Sequence, residues 1–243
     1  MLVVAQISDL HFRHTDPDQL ARIDAVMTYL NDRCGGASAI DALLVTGDLT
    51  DEGLPGQYDE AAEHVVTDIP TLTLLGNHDD RVAYHGSTAP VNTSLLLDGL
   101  LLLGLDSSIP GSPSGELTET TLAWASEQIA AAGDVPVVVA FHHPPVDVGM
   151  RFMDTIRQLE PSGFETFVRR HPTITGLVCG HIHSPGVTTF AGVPLVTAPG
   201  VSSTLNLDFE GDDVLNDTQP PGIAFHLVDA TGRLTTHFRS VVV

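Results

Sequence analysis

Apolar positions along the chain follow two periods. Short unbroken runs, LVVAQI (2–7), ALLVT (42–46), TLTLL (71–75), VVVAF (137–141) and TGLVC (175–179), read as buried strands. Between them lie stretches whose apolar residues recur every three or four positions, the helical spacing. In DPDQLARIDAVMTYLNDR (16–33), Asp16 is placed to cap, Pro17 suits the first helical position, and Leu20, Ile23, Met27 and Leu30 share a face. Further helices are predicted around 57–67, near 118–132 up to Gly133, and over 151–170. This alternation predicts α/β layers with largely parallel strands. Segments 94–106, 187–198 and 222–243 read instead as strand pairs and predict a second, more antiparallel sheet. The acidic stretch SSTLNLDFEGDDVLNDTQPP (202–221) reads as a surface loop or lid on a single domain spanning 1–243.

Composition narrows the function. With 42% hydrophobic residues the chain can bury a substantial core. Its 31 acidic residues face 10 basic ones, all arginine, for a formal charge of −21. Such a surface repels phosphate backbones and anionic lipid, so neither duplex nucleic acid nor membrane is an expected partner, whereas a small substrate or a cation is. Cys34 and Cys179 form no C-x-x-C pair and read as buried thiols in a reducing compartment. The N-terminus, MLVVAQISDLH, has no basic leader, and no window reaches the roughly 18 apolar residues of a span. The expectation is a soluble, cytoplasmic protein, with a homodimer left open.

The strand tips carry the chemistry. After AQI come Asp9 and His11; after LLVT, Gly47, Asp48 and Asp51; after TLLG, Asn77, His78 and Asp79; after VVVAF, His142 and His143; after GLVC, Gly180, His181 and His183. In an open α/β sheet such ends converge on one site, so all five are expected to lie side by side on the first sheet. The glycines before Asp48, Asn77 and His181 are expected to permit sharp turns there. A lone D-x-H or H-x-H is weak, since a single histidine at a strand end is more often structural than a ligand. Five tips in this order make coincidence improbable. His14, His64, His85, His171, His226 and His237 lack that context and read as ordinary surface or satisfied histidines.

The ordered set D-x-H, G-D-x-x-D, G-N-H-D, H and G-H-x-H closely resembles the signature of the calcineurin-like metallophosphoesterase superfamily, over Asp9 to His183. GELTETTLAW (115–124) and FHHPPVDVGMRFMD (141–154) look like its bacterial class III cyclic-nucleotide and glycerophosphodiester phosphodiesterase branch, from which APGVSSTLNLDFE (198–210) departs. The resemblance implies a four-layer sandwich of two mixed β-sheets flanked by helices. By motif position it assigns Asp9, His11 and His183 to one metal and Asn77, His142 and His181 to a second, with Asp48 bridging. His142 is preferred to His143 because it leaves the strand first.

Imidazoles with oxygen donors and no thiolate suit Fe, Mn, Zn or Co and argue against a closed structural zinc site. Two such ions can share a hydroxide and clamp phosphoryl oxygens during in-line attack. The resemblance gives protonation of the leaving group to His78, supported by Asp51. Asp79 is expected to steady its loop, and Arg81 to be a solvated charge outside the site. The expected activity is hydrolysis of a small phosphodiester, foremost a 3',5'-cyclic nucleotide. A phosphomonoesterase or glycerophosphodiesterase on the same core is the alternative. A non-catalytic binding scaffold of this fold would be expected to have lost ligands, and here all seven are present alongside His78.

Overall fold

The computed structural model describes residues 1–13 and 16–243, so His14 lies outside the described residues. Strand β1 (Leu2–Ile7) is followed by helix α1 (Pro17–Thr28), whose first turn is capped by the Asp16 carboxylate accepting from the amides of Asp18 and Gln19. Then come β2 (Ala42–Thr46), α2 (Pro55–His64), β3 (Thr71–Leu74) and the short α3 (Arg81–His85). Next are β4 (Thr93–Leu97), β5 (Leu100–Gly104), the small hairpin β6 (Ser108–Ile109) and β7 (Ser112–Gly115), and α4 (Glu119–Ala132). The chain continues with β8 (Val137–Phe141), α5 (Arg151–Asp154), α6 (Ser162–Arg170), β9 (Ile174–Cys179), β10 (Gly186–Phe190) and β11 (Val193–Thr197). A second hairpin, β12 (Thr204–Leu205) and β13 (Leu215–Asn216), precedes the final pair β14 (Gly222–Val228) and β15 (Leu234–Ser240).

Two mixed sheets result, in the orders β15-β14-β1-β2-β3 and β10-β11-β9-β8-β5-β4. Period-two alternation builds four layers from them. Val4, Leu44, Leu72 and Leu74 of one sheet pack against Leu100, Leu102, Val138 and Val178 of the other. The opposite-facing Ala5, Ile7, Leu43 and Val45 pack against Ile23, Val26 and Met27 of α1. On the far side, Leu103, Val139 and Leu177 pack against Leu122 and Ile129 of α4 and Phe164 and Val168 of α6. The layers are therefore helix, sheet, sheet, helix, as the resemblance implies.

Three expectations need correction. The five tips do not share a sheet: β1, β2 and β3 lie in one, β8 and β9 in the other. The final strand pair, read as part of the second sheet, joins the first, where β14 runs antiparallel beside β1. Local periodicity cannot report which of two apolar faces meets which sheet. The helix expected over 151–170 is broken between Asp154 and Ser162; Pro161 cannot donate a helical hydrogen bond and disfavours helical backbone at Glu160.

Candidate metal centre

The loops after β1, β2, β3, β8 and β9 meet at one end of the sandwich. Among the described residues, Asp9, His11 and His183 offer ligand atoms within 4.8 Å of one another, as do Asp9, Asp48 and His142, and as do His142, His143 and His181. Asp9, His11, Asp48, His181 and His183 all hold positive φ, between 49° and 73°. Left-handed backbone costs a non-glycine residue about 1–3 kcal/mol and persists where surrounding structure imposes it. Gly47 also has positive φ, +96°, and a Cβ there would lie 2.5 Å from His142 Nδ1. Gly76 and Gly180 do not need that conformation. Each is a close approach instead, since a Cβ on Gly76 would collide with the Asp48 carboxylate and one on Gly180 with the Ser8 hydroxyl.

The imidazoles share one design. His142 Nδ1 donates to Thr46 O (2.7 Å), His181 Nε2 to Ile156 O (3.2 Å), His183 Nδ1 to Ser203 O (3.1 Å) and His11 Nδ1 to Asp51 Oδ1 (3.1 Å). Carbonyl and carboxylate oxygens only accept, so each contact holds a hydrogen on the anchoring nitrogen and leaves the other ring nitrogen as the one that can take a proton or a cation. Those four nitrogens turn inward. His11 Nε2 lies 3.2 Å from His183 Nε2, and His142 Nε2 lies 3.3 Å from both His181 Nδ1 and Asp48 Oδ2. Lone pairs facing at such distances repel unless a proton or cation stands between them.

Two acceptors are left over. Asp9 Oδ2 and Asn77 Oδ1 are buried without a hydrogen-bond partner. An unmet buried acceptor costs about 1–3 kcal/mol, which a coordinated cation would remove. The inward nitrogens, the orphaned oxygens and the absence of thiolate fit hard to borderline transition metals.

Charge follows the same layout. Burial disfavours the Asp48 carboxylate, yet His142 and His11 beside it hold its pKa well below the usual carboxylate range. Burial also opposes a charged His142, but Asp48 and Asp9 outweigh it and raise that imidazole to about 9. His181 and His183 are pushed down, chiefly by burial, and stay neutral.

Around this core the expected roles redistribute. His78 is half-exposed, with Nδ1 donating to the backbone carbonyl of Asp51 at 2.8 Å, and its ring meets His11 edge-on at 4.6 Å. The Asp51 carboxylate stands 3.9 Å from His78 Nδ1; it bonds His11 Nδ1 instead and pairs with Arg13 at 3.2 Å. Asp79 steadies its loop, accepting from the amides of Leu49 (3.1 Å), Thr50 (3.1 Å) and Gly76 (2.9 Å). Arg81 is not a solvated charge: its side chain is 12% exposed and pairs with Asp106 at 2.8 Å. Among the histidines set aside, buried His226 is satisfied by Thr236 and Gln6, and His64 pairs with Asp24.

Sequence reasoning missed the supports. Gln19 donates from α1 to the carbonyls of Leu10 and His11, Ser107 Oγ sits 2.9 Å from His143 Nδ1, and Gln158 donates to His143 O at 2.8 Å. His143 Nε2 is itself buried and unpartnered. No spacing signals these contacts, because each joins a side chain to a loop or an imidazole outside its own element. The centre opens into a cleft of about 360 Å³ with His11, Asp48, Asn77, His78 and His181 on its floor.

Similarity to known proteins agrees with this geometry. The family model for calcineurin-like phosphoesterase matches residues 2–185. The glycerophosphodiester phosphodiesterase GpdQ of Enterobacter lignolyticus is 30% identical, over 93% of this chain and 86% of that protein. A cAMP/cGMP dual specificity phosphodiesterase of Mycobacterium tuberculosis is 29% identical, over 84% and 69% respectively. In fold alone, a dimetal phosphatase from Danio rerio superposes with a TM-score of 0.68 at 12% identity, over 99% of both chains. Among the described residues no helix is long and apolar enough to cross a membrane. The chain belongs to the calcineurin-like phosphoesterase family and is a metal-dependent phosphoric ester hydrolase.

Proposed function

We propose that the protein is a two-metal phosphodiesterase of small diesters, with a 3',5'-cyclic nucleotide as the best candidate substrate. The observation that carries this reading is the set of four imidazoles, each anchored through one ring nitrogen and presenting the other toward Asp9, Asp48 and Asn77. Asp9, His11 and His183 would hold one ion, Asn77, His142 and His181 the other, and Asp48 both. Bound there, Fe, Mn, Zn or Co ions would activate water and neutralise charge on the phosphoryl oxygens.

The remaining work falls to side chains. His78 is oriented by the Asp51 carbonyl and reaches the cleft, so in its protonated form it can give a proton to the departing alkoxide. Asp51 keeps His11 in the tautomer that leaves Nε2 free. The names of the relatives, for glycerophosphodiesters and for cyclic nucleotides, support a small diester as the substrate. The 243 residues would act as one catalytic domain, and two free thiols suit the reducing cytoplasm.

The test is metal removal and return. Thoroughly chelated protein is expected to lose diester hydrolysis and regain it with about two equivalents of Mn, Zn or Fe under this two-metal reading. Unchanged turnover in metal-free protein would sink it. A panel of cyclic nucleotides, glycerophosphodiesters and monoesters then ranks substrates, and a preference for monoesters would replace the diester reading.

A further inference from the structure

Above the polar floor, one wall of the cleft is apolar throughout. It is formed by Phe152 and Met153 of α5, Ile156 just after it, Leu205 of β12, and Val214 and Leu215 at β13. Phe152 and Leu215 are each 56% exposed and Val214 43%. Such side chains left open beside a reactive centre are a surface awaiting cover, and a substrate group is what the cleft brings to them.

The wall is built rather than incidental. Met153 and Leu205 are buried in a small cluster with Met150 and Ile182. Ile182 stands between His181 and His183, so the wall is set in register with two of the inward-facing imidazoles. The hairpin is tied across itself by Thr204 Oγ1 donating to Asn216 O (3.1 Å) and Asn216 Nδ2 to Asn206 Oδ1 (2.7 Å). It is tied to the loop after β9 by Ser184 Oγ donating to Leu205 O at 3.0 Å.

We propose that this wall is a substituent subsite. It takes a flat apolar group, an aryl ring or a nucleobase, carried by the phosphodiester, and selects such diesters over those bearing a small polyol or alkyl group. The inference rests on the phosphodiesterase reading above. With the phosphate on the floor, a substituent turned to this side meets six side chains that offer no hydrogen bond. A polyol there would lose water from its hydroxyls without replacement, whereas a ring would cover Phe152 and Leu215 and release water from both surfaces.

Binding separates this proposal from the reaction itself. Phenylphosphonate and methylphosphonate share one anionic head and differ only in the group that would meet the wall. On metal-loaded full-length protein, calorimetry is expected to show phenylphosphonate binding about five- to tenfold tighter, the range one aromatic contact supplies. Phe152→Ser should erase that preference by weakening only the phenyl compound, and Phe152→Tyr should keep it. Leu215→Ser is a second probe on the other element, and both side chains are exposed enough for the variants to fold. Equal affinities in the wild type, or equal loss of both ligands in Phe152→Ser, would overturn the subsite. Failure of the diesterase reading would show separately, as no turnover of any diester by the metal-loaded protein, while the phosphonate preference stands or falls on binding alone.

Discussion

The floor and the wall of the cleft are held by different physics. The floor is polar and, apart from His78 and Asn77, buried: five of its residues hold left-handed backbone and four imidazoles are each anchored through one ring nitrogen. The wall is apolar and partly open, and α5 is joined to the hairpin by an exposed ion pair of Arg151 with Asp208 at 2.7 Å. Backbone strain and anchoring hydrogen bonds are concentrated where charge must be placed to a fraction of an ångström. They give way to apolar surface where shape alone selects. On the reading proposed above, the floor would carry the reaction and the wall would carry the selection of substrate.

If that division holds, floor variants should change the chemical step or metal retention, and wall variants should change affinity. The largest effect is expected for His78→Ala. The variant should keep its metals, because the inward-facing donors are complete without His78. It should lose about 10²–10⁴-fold on an alkyl or ribose diester, whose leaving group needs a proton. On a nitrophenyl diester at matched metal content the loss should be small, since nitrophenolate departs unaided. Equal losses on both substrates would turn His78 into a phosphate-positioning residue.

Asp51→Asn comes next and is where the structure redirects expectation. A dyad with His78 would give the same leaving-group signature as His78→Ala. The bond from Asp51 Oδ1 to His11 predicts a different one: metal affinity lower by about 10–100-fold and activity lost alike on both substrate types until metal is added in excess. Metal analysis of the dialysed variant, with the two-substrate comparison, separates the readings. A leaving-group-dependent loss with full metal content would restore the dyad.

A smaller signal accompanies metal binding. In the metal-free protein His142 titrates at about 9, so it carries a proton at neutral pH that an incoming cation must displace. Titration of metal in buffers of different ionisation heat should show about one proton released at pH 7 from this residue. Release should fade as pH rises through 9, where the ring is already neutral. No release at pH 7 would mean that Asp48 and Asp9 do not hold that proton.

What could be read from the sequence tracks the same division. The seven assigned ligands, with His78 and Asp51, stand in local motifs at strand ends, so their convergence was visible without knowing the partner strands. That the strands belong to two sheets was not, because β1 and β8 are both buried on two faces and read alike. The supports Gln19 and Ser107 were hidden because a single polar residue turned toward a neighbouring loop, as Gln19 is, or toward one far along the chain, as Ser107 is, leaves no period. The wall was hidden for another reason. Phe152, Val214 and Leu215 lie in a segment predicted as one helix and in another read as an acidic loop, and their common face exists only after both fold.

The smallest effect tests how lightly the wall is held. Arg151 donates from Nε to Asp208 Oδ2 at 2.7 Å, and its amide lies 3.3 Å from both carboxylate oxygens. The arginine side chain is 87% exposed, so solvent screens the pair and its removal should leave global stability unchanged within error. Its effect should be local. In Arg151→Ala, amide exchange of residues 204–216 should quicken while the floor loops keep their protection. KM for an aryl-bearing diester should rise about two- to threefold at constant kcat, as expected when a binding surface is less often in place. A fall in kcat would show that the hairpin positions the floor as well, and the separation of reaction from selection would fail there.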